Sequence, residues 1–392
     1  MTEFRVTIQD VAYGGAGVGR LPLEGGGEVE PPAQDLPAKT DLSRVEARGK
    51  VVFVPDTLTG EEVLIRVTKP RKGFAEAALL KVIVPSPHRV IPECPWFGRC
   101  GGCQYQHAAY EEQLRIKAKQ VRDALQRIGG FTEIPALHVE PAPQPYGYRN
   151  KITLHRGDDG ALGFFARDHR TVLDLDRCPI ASDTLNTQLA ALRKSPSRPR
   201  HVSLVDAALR PESVEGGFHQ VNTAMALKLL QWVRQQIGLP SQGQLFDLYC
   251  GAGFFTFGLA DLFAAVCGMD RDERAIHAAT TQARARGVTQ AGFFAGIVEE
   301  RLEWLLQNAP WDETVLLVDP PREGLAAPVS EAFARKRPSR FIYVSCDPAT
   351  LARDLKKLVG AESPGYRVAA LGMFDMFPQT AHIETVAVLE PS

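Results

Sequence analysis

The stretch Arg340-Phe341-Ile342-Tyr343-Val344-Ser345-Cys346-Asp347-Pro348-Ala349-Thr350 narrows the choice of fold more than any other part of the chain. Phe341 to Val344 is an unbroken apolar run of β-branched and aromatic residues, the mark of a strand buried on both faces. Asp347-Pro348 then reads as N-cap and first helical residue, and Leu351, Leu355 and Leu358 give the helix an apolar stripe. Cys346 falls in the turn between strand and helix. In an open α/β sheet that turn lies at the carboxyl edge, where ligands bind, and the first N–H groups of the helix are expected to favour a thiolate. The alternative role for a lone cysteine is that of a small buried hydrophobe.

The same alternation of strand and helix runs from about residue 216 onward and predicts a doubly wound parallel sheet. A helix over 223–237 leads to the strand Gln244–Leu248 and then to Tyr249-Cys250-Gly251-Ala252-Gly253-Phe254-Phe255-Thr256. Gly251 and Gly253 let a nucleotide approach the backbone at a helix start. Val266-Cys267-Gly268-Met269-Asp270 follows as a second strand, ending in a carboxylate about 20 residues on, the place for a ribose-hydroxyl acceptor. Thr256 stands where a dinucleotide fingerprint has its third glycine, which disfavours NAD. A further strand, Thr314–Val318, delivers Asp319-Pro320-Pro321-Arg322-Glu323-Gly324 to the same edge, one strand before Cys346.

The N-terminal part has another period. Alternating strands at 5–8, 51–54 and 62–67, with glycine turns such as Gly14-Gly15-Ala16-Gly17-Val18-Gly19, predict a small β-barrel over residues 1–90. Residues 21–48, rich in Pro, Gly and acidic groups, read as a loosely ordered hairpin loop. Arg66, Lys69, Arg71, Lys72, Lys81 and Arg89 stand against the single carboxylate Glu76, as a solvated face or as a phosphate-tracking surface. Next comes Cys94-Pro95-Trp96-Phe97-Gly98-Arg99-Cys100-Gly101-Gly102-Cys103, whose three thiols can turn around one metal centre. Cys178 is the natural fourth ligand, and spacing alone admits zinc or an iron–sulfur cluster. An amphipathic helix over 108–129 and short strands around 148–155 and 163–167 complete a central α+β domain over 91–215, the helix being free to pack on the domain that follows. Arg149, Lys151, Arg156, Arg167 and Arg170, interleaved with Tyr146, Tyr148, Phe164 and Phe165, suit either a base-stacking surface or the polar face of a half-buried sheet.

With 392 residues the chain is long enough for two or three domains. No apolar run reaches the length of a membrane span and the N-terminus lacks a signal-peptide pattern, so a cytoplasmic protein is expected. The net charge of −1 gives no global nucleic-acid signal. Seven cysteines in a reducing compartment are expected to be ligands, nucleophiles or core residues.

Taken together these motifs resemble the RNA 5-methyluridine methyltransferases, specifically the TRAM-bearing, iron–sulfur 23S rRNA (uracil-5-)-methyltransferases of RlmD type. The resemblance covers almost the whole chain. It is carried by the Cys94, Cys100, Cys103 and Cys178 set, by Phe218-His219-Gln220-Val221-Asn222, and by the glycine turn after Asp247. It is carried equally by Asp319-Pro320-Pro321-Arg322-Glu323-Gly324, by Ser345-Cys346-Asp347-Pro348-Ala349-Thr350, and by Phe374-Asp375-Met376-Phe377-Pro378-Gln379-Thr380-Ala381-His382-Ile383-Glu384. Two departures stand out. The family usually has Asn at the position of Asp347, whose charge is expected to oppose thiolate formation, and often Glu at that of Asp270.

The resemblance implies a TRAM barrel over 1–90, the cluster-bearing domain over 91–215 and a class I S-adenosylmethionine-dependent methyltransferase domain over 216–392. It implies Cys346 as nucleophile, Glu384 as proton acceptor, and Gln220, Tyr249, Asp270 and Asp319 as cofactor contacts beside Gly251 and Gly253. It further implies a 4Fe–4S cluster on the four cysteines, an RNA substrate, most simply 23S rRNA with tRNA as alternative, no DNA or membrane partner, and a monomer. A non-catalytic RNA-binding protein would not need both Cys346 and Glu384. A methyltransferase acting on an exocyclic amine would need no thiol.

Overall fold

The computed structural model describes residues 3–22, 49–195, 199–209, 220–238, 243–307, 309–360 and 365–392. Most of the hairpin loop expected over 21–48, and the Phe218-His219 pair, lie outside the described residues. The chain divides into two compact units. Met1–Ile116, Phe164–Leu173 and Gln379–Ala381 form the first; Lys117–Gly163, Asp174–Pro378 and His382–Ser392 form the second.

The first unit contains β1 (Glu3–Thr7), β2 (Asp10–Val11), β3 (Ala16–Arg20), β4 (Val51–Pro55), β5 (Glu62–Pro70) and β6 (Phe74–Val84). They form one sheet in the order β1-β5-β6-β4-β3-β2. The period-two pattern buries Val6, Val52, Val54, Val63 and Ile65 together. Gly17 is obligatory where it stands, because a Cβ there would come within 2.0 Å of Thr57 Oγ1. Much of the basic run is paired internally. Arg66 meets Glu3 at 2.7 Å, Lys69 and Arg71 reach Glu76 at 3.3 and 3.6 Å, and Arg89 binds the buried Glu61.

The chain continues through α1 (Tyr110–Arg127), whose residues from Lys117 onward belong to the second unit. There follow β7 (Leu137–Glu140), β8 (Lys151–Arg156), β9 (Leu162–Gly163), α2 (Asp183–Lys194), β10 (His201–Val205) and α3 (Thr223–Ile237). The alternating part comprises β11 (Gln244–Leu248), α4 (Phe254–Leu259), β12 (Ala265–Asp270), α5 (Glu273–Ala285), β13 (Ala291–Ala295) and α6 (Val298–Gln307). It closes with β14 (Thr314–Val318), α7 (Ala327–Lys336), β15 (Arg340–Ser345), α8 (Pro348–Val359), β16 (Tyr366–Phe374) and β17 (Glu384–Pro391). A smaller sheet has the order β10-β8-β9, and the large one β13-β12-β11-β14-β15-β17-β16-β7.

The strand expected over 163–167 is cut short at Gly163. Asp168 Oδ1 accepts the N–H groups of Arg170 and Thr171, each at 2.9 Å, and closes a turn with His169 at φ 57°, leaving Phe165 and Ala166 only isolated bridges. The aromatic surface is reduced as well, since Tyr148 is buried and donates to Pro378 O at 3.0 Å.

In the large sheet the strands from β13 to β15 are parallel. β17 runs antiparallel to both β15 and β16, and β7 joins β16 in parallel. Leu248 is level with Met269 and Val318, and Val318 with Tyr343, so the residues that follow these strands emerge at one edge. The apolar run Phe341–Val344 is fully buried, as is the α8 stripe of Leu351, Leu355 and Leu358. Asp347 caps α8 through Oδ1, which accepts from Ala349 N at 2.9 Å and Thr350 N at 3.0 Å.

One buried ion pair holds the segment that leaves β16. Lys117 Nζ donates to Asp375 Oδ1 at 2.6 Å and to Phe377 O at 3.0 Å, and both side chains are nearly inaccessible. Removing one partner strands the other charge, so Lys117→Met is expected to cost ~3–5 kcal/mol in urea unfolding of the full chain. The double variant Lys117→Met/Asp375→Leu should recover at least half of that loss. A double variant whose loss equals the sum of the single losses would contradict this account.

Candidate active site

The edge formed by β11, β12, β14 and β15 carries Tyr249, Gly251, Gly253, Asp270, Asp319 and Cys346. A cavity of about 240 Å³ opens there, with Gln220, Tyr249, Gly251, Gly253, Asn150 and Asp319 in its wall. The turn after β11 is shaped by three alternate left-handed positions, Tyr249 at φ 62°, Gly251 at 55° and Gly253 at 85°. Tyr249 is not a glycine and holds that conformation at a cost of about 1–2 kcal/mol. Its hydroxyl donates to Glu299 Oε1 at 3.2 Å. Asp270 braces the turn, one carboxylate oxygen accepting Gly251 N at 2.8 Å and the other Asp272 N at 2.8 Å.

Buried acids set the electrostatics. Burial pushes Asp247 up to about 7, against the Thr256 hydroxyl that donates to it at 2.5 Å. Asp319 is also pushed up to about 7, by burial first and then by Asp247 and Asp270. Glu384 lies well above the usual carboxylate range, from burial and the neighbouring Asp319. The folded chain therefore keeps protons that the unfolded chain releases, and stability from Asp247 and Asp319 falls as pH rises from about 4 through about 7.

Cys346 follows β15, and Glu384 opens β17. Ser345 pairs directly with Thr385, which sets Cys346 and Glu384 side by side at the carboxyl edge. The expectation that the helix start would depress the thiol is overturned. Burial, then Glu384, then Asp319 raise Cys346 to about 11, and only Arg322 among side chains pulls it down. The helical N–H groups are already taken by Asp347. Its carboxylate acts as a cap, and the charges that oppose the thiolate belong to Glu384 and Asp319.

Sequence reasoning gave no separate role to Arg322, His382, Lys117 or Asn150. Arg322 Nη2 meets His382 Nδ1 at 3.4 Å, and burial holds the His382 ring down to about 4, so it stays neutral. Arg322 lay within a quoted motif; Lys117 and Asn150 carried no local pattern that marks a site.

The cysteine set is less complete. None of the seven cysteines is in a disulfide. Cys94 receives the N–H groups of Trp96 and Phe97, and Cys100 that of Gly102 at 3.4 Å, although burial still raises both thiols. Peptide N–H groups on sulfur are what thiolate ligands of a metal require, so the donor chemistry fits. Among the described residues, however, no three His, Cys, Asp or Glu side chains converge as a metal site. Cys178 belongs to the second unit, where its N–H donates to Asn186 Oδ1 at 2.8 Å.

The family model described as tRNA (Uracil-5-)-methyltransferase matches residues 199–391, and the TRAM domain model matches residues 2–80. A protein of Thermosynechococcus vestitus described as an uncharacterized RNA methyltransferase is 33% identical, over 88% of this chain and 94% of its own length. Another, of Bdellovibrio bacteriovorus, is 29% identical over 99% of this chain and 95% of its own. The tRNA (uracil-54, C5)-methyltransferase of Pyrococcus abyssi, solved with S-adenosyl-L-homocysteine, matches with a TM-score of 0.70 at 24% identity. That match covers 98% of this chain and all of the other, and it shows the shared class I methyltransferase fold. Among the described residues no helix is long and apolar enough to cross a membrane. A TRAM domain ahead of a doubly wound sheet, a thiol and buried acids at one sheet edge, and a relative 33% identical over most of its length establish that the chain belongs to the S-adenosylmethionine-dependent RNA 5-methyluridine methyltransferases.

Proposed function

We propose that the chain methylates carbon 5 of a specific uridine in 23S rRNA, in the cytoplasm, through a covalent bond from Cys346 to carbon 6 and an elimination assisted by Glu384. The observation that carries this reading is the register of β15 and β17. Directly opposed residues on antiparallel strands have Cα atoms ~4.5–5.5 Å apart, so a nucleophile at Cys346 and a base at Glu384 can serve the same pyrimidine ring.

Carbon 5 of uracil is too weak a nucleophile to take a methyl group unaided. Cys346 releases its proton to solvent, and addition of the resulting thiolate to carbon 6 converts the ring to an enolate with carbanion character at carbon 5. S-adenosylmethionine supplies an electrophilic methyl group when bound, and Gln220, Tyr249, Gly251, Gly253, Asp270 and Asp319 are the residues that would hold it. Buried acids such as Asp319 suit a cationic sulfonium. While Asp319, at about 7, and Glu384, raised well above the usual carboxylate range, hold their protons, they place little negative charge beside Cys346, and Arg322 favours its thiolate. Once the sulfur is bonded to carbon 6 and the enolate has taken the methyl group, neither carries charge, so Glu384 releases its proton to solvent more readily and is a carboxylate at the stage where it must accept the carbon 5 proton. Loss of that proton restores the 5,6 double bond and expels Cys346 as thiolate.

Methylation of tRNA by the same chemistry is the second reading, favoured by the matched family model and the Pyrococcus abyssi enzyme, both described as acting on tRNA. We further read Cys94, Cys100, Cys103 and Cys178 as ligands of a 4Fe–4S cluster. The spacing and the N–H groups on sulfur support it, and the reaction assigns it a structural role only. The chain is read as a monomer that binds no DNA.

In a strain lacking the gene, 5-methyluridine should disappear at one 23S rRNA position and return with wild type but not with Cys346→Ala. Loss from tRNA alone would replace the rRNA reading by the second. Glu384→Gln should add and transfer methyl yet fail at elimination, accumulating a methylated protein–RNA complex on denaturing gels. Normal turnover by Glu384→Gln would remove it from that role. The wild-type single-turnover rate should rise with pH toward the Cys346 pKa of about 11, as the thiolate fraction grows.

Purified without air, the protein should be brown with broad visible absorption, and Cys100→Ser should bleach it. Colourless protein with stoichiometric zinc would reject the iron–sulfur assignment.

A further inference from the structure

Asp354 is a fully buried acid on the α8 face that carries Leu351, Leu355 and Leu358, and the chemistry above does not use it. A carboxylate among leucines is tolerated only where donors surround it. Its Oδ2 accepts Leu325 N at 2.8 Å and the Tyr343 hydroxyl at 2.8 Å, and its Oδ1 accepts Arg353 Nε at 2.8 Å. Arg353 in turn donates from Nη2 to Glu323 O at 2.7 Å. The pair therefore grips the backbone of one segment, the loop between β14 and α7, on both sides of Gly324.

That loop carries Arg322. At its start Asp319 N donates to Leu248 O at 3.2 Å, and further on Gly324 N donates to Pro321 O at 2.8 Å, closing a turn with Arg322 and Glu323 at its tip. Glu323 O and Leu325 N, the atoms held by Arg353 and Asp354, lie on the returning arm. The arm comes so close that a Cβ on Gly324, itself left-handed at φ 76°, would lie 2.5 Å from Asp354 Oδ2 and 2.6 Å from Arg353 Nη2. Tyr343 ties the same carboxylate to β15, the strand that delivers Cys346. Around the thiol, Glu384 and Asp319 oppose the thiolate and Arg322 favours it. Asp319 follows β14 directly and keeps its own tie to Leu248, so loosening the returning arm displaces Arg322 and leaves Asp319 in place.

We propose that Asp354 is a positioning residue for the methyl transfer: with Arg353 it holds the returning arm of the loop after β14 and so keeps Arg322 in reach of Cys346. The proposal rests on reading Cys346 as the nucleophile.

The test is alkylation of the full chain with iodoacetamide at a fixed pH well below the Cys346 value of about 11, with modification of Cys346 followed by peptide mass mapping. There the rate follows the thiolate fraction. Arg322→Ala should slow it at least about threefold, as loss of a nearby opposite charge requires. Asp354→Ala should slow it by a similar factor, and the double variant should be no slower than Arg322→Ala alone. The single-turnover methylation rate of Asp354→Ala should fall in parallel. Should Asp354→Ala not fold, Arg353→Leu takes its place, since that side chain is 43% exposed and its loss still frees Glu323 O. A merely structural role has the opposite sign, because a loosened site exposes the thiol and speeds its alkylation. Alkylation at or above the wild-type rate in Asp354→Ala, or in Arg353→Leu where that variant stands in, would overturn the proposal. So would an unchanged rate in Arg322→Ala, or a double variant slowed by the product of the single factors. Turnover by Cys346→Ala, read in a separate methylation assay, would remove the nucleophile reading and this proposal with it.

Discussion

The pairing of Ser345 with Thr385 is the constraint on which the site depends, because strand register admits no intermediate settings. A slip of one residue would turn every β17 side chain to the opposite face and carry Glu384 away from Cys346. The register is fixed from both sides. Val386 to Leu389 are buried against β15 and β16, and Phe374 pairs with Glu384 itself. Beyond that pair, Asp375 N donates to Glu140 O at 3.1 Å, Asn222 Nδ2 to Met376 O at 3.3 Å, and Lys117 to Asp375 and Phe377. Glu384 is thus placed by the hydrophobic interior of the sheet and by polar ties that leave the loop little freedom.

The same burial that fixes the geometry makes the site chemically reluctant. A thiol near 11, a carboxyl at about 7 and Glu384 raised well above the usual carboxylate range are groups held where charge is expensive. That suits a reaction in which the charged species are transient. A cationic sulfonium is favoured by ionisation of Asp319, whereas the thiolate is favoured when Asp319 and Glu384 keep their protons. In the proposed reaction, cofactor binding and thiol activation are therefore linked through one shared set of protons, with Arg322 as the side chain whose charge favours the thiolate.

The parallel part of the fold was legible because its strands are continuous apolar runs and its helices carry caps in sequence: Gln244–Leu248, Thr314–Val318 and the helix over 223–237 stand where the pattern predicts them. What escaped were features that depend on distant partners. The addition of β7 to the sheet is decided by β16, more than two hundred residues on, and nothing local in Leu137–Glu140 declares it. The left-handed turn at His169 ended a strand that composition favoured. Cys346 and Glu384 were visible as residues of a resembled motif, yet the direction of the thiol's shift was not. Helix-start reasoning pointed down, and only the tertiary structure shows that Asp347 takes the helical N–H groups while burial dominates.

The central claim is a covalent bond between Cys346 and carbon 6 of the target uridine. The most direct measurement is intact mass spectrometry, with peptide mapping, of the full chain incubated with S-adenosylmethionine and an RNA carrying 5-fluorouridine at the target. Fluorine cannot leave as a cation, so the account predicts a stable methylated adduct on the peptide containing Cys346. An adduct on another residue would contradict it. So would the absence of any adduct in a preparation that methylates the unsubstituted RNA.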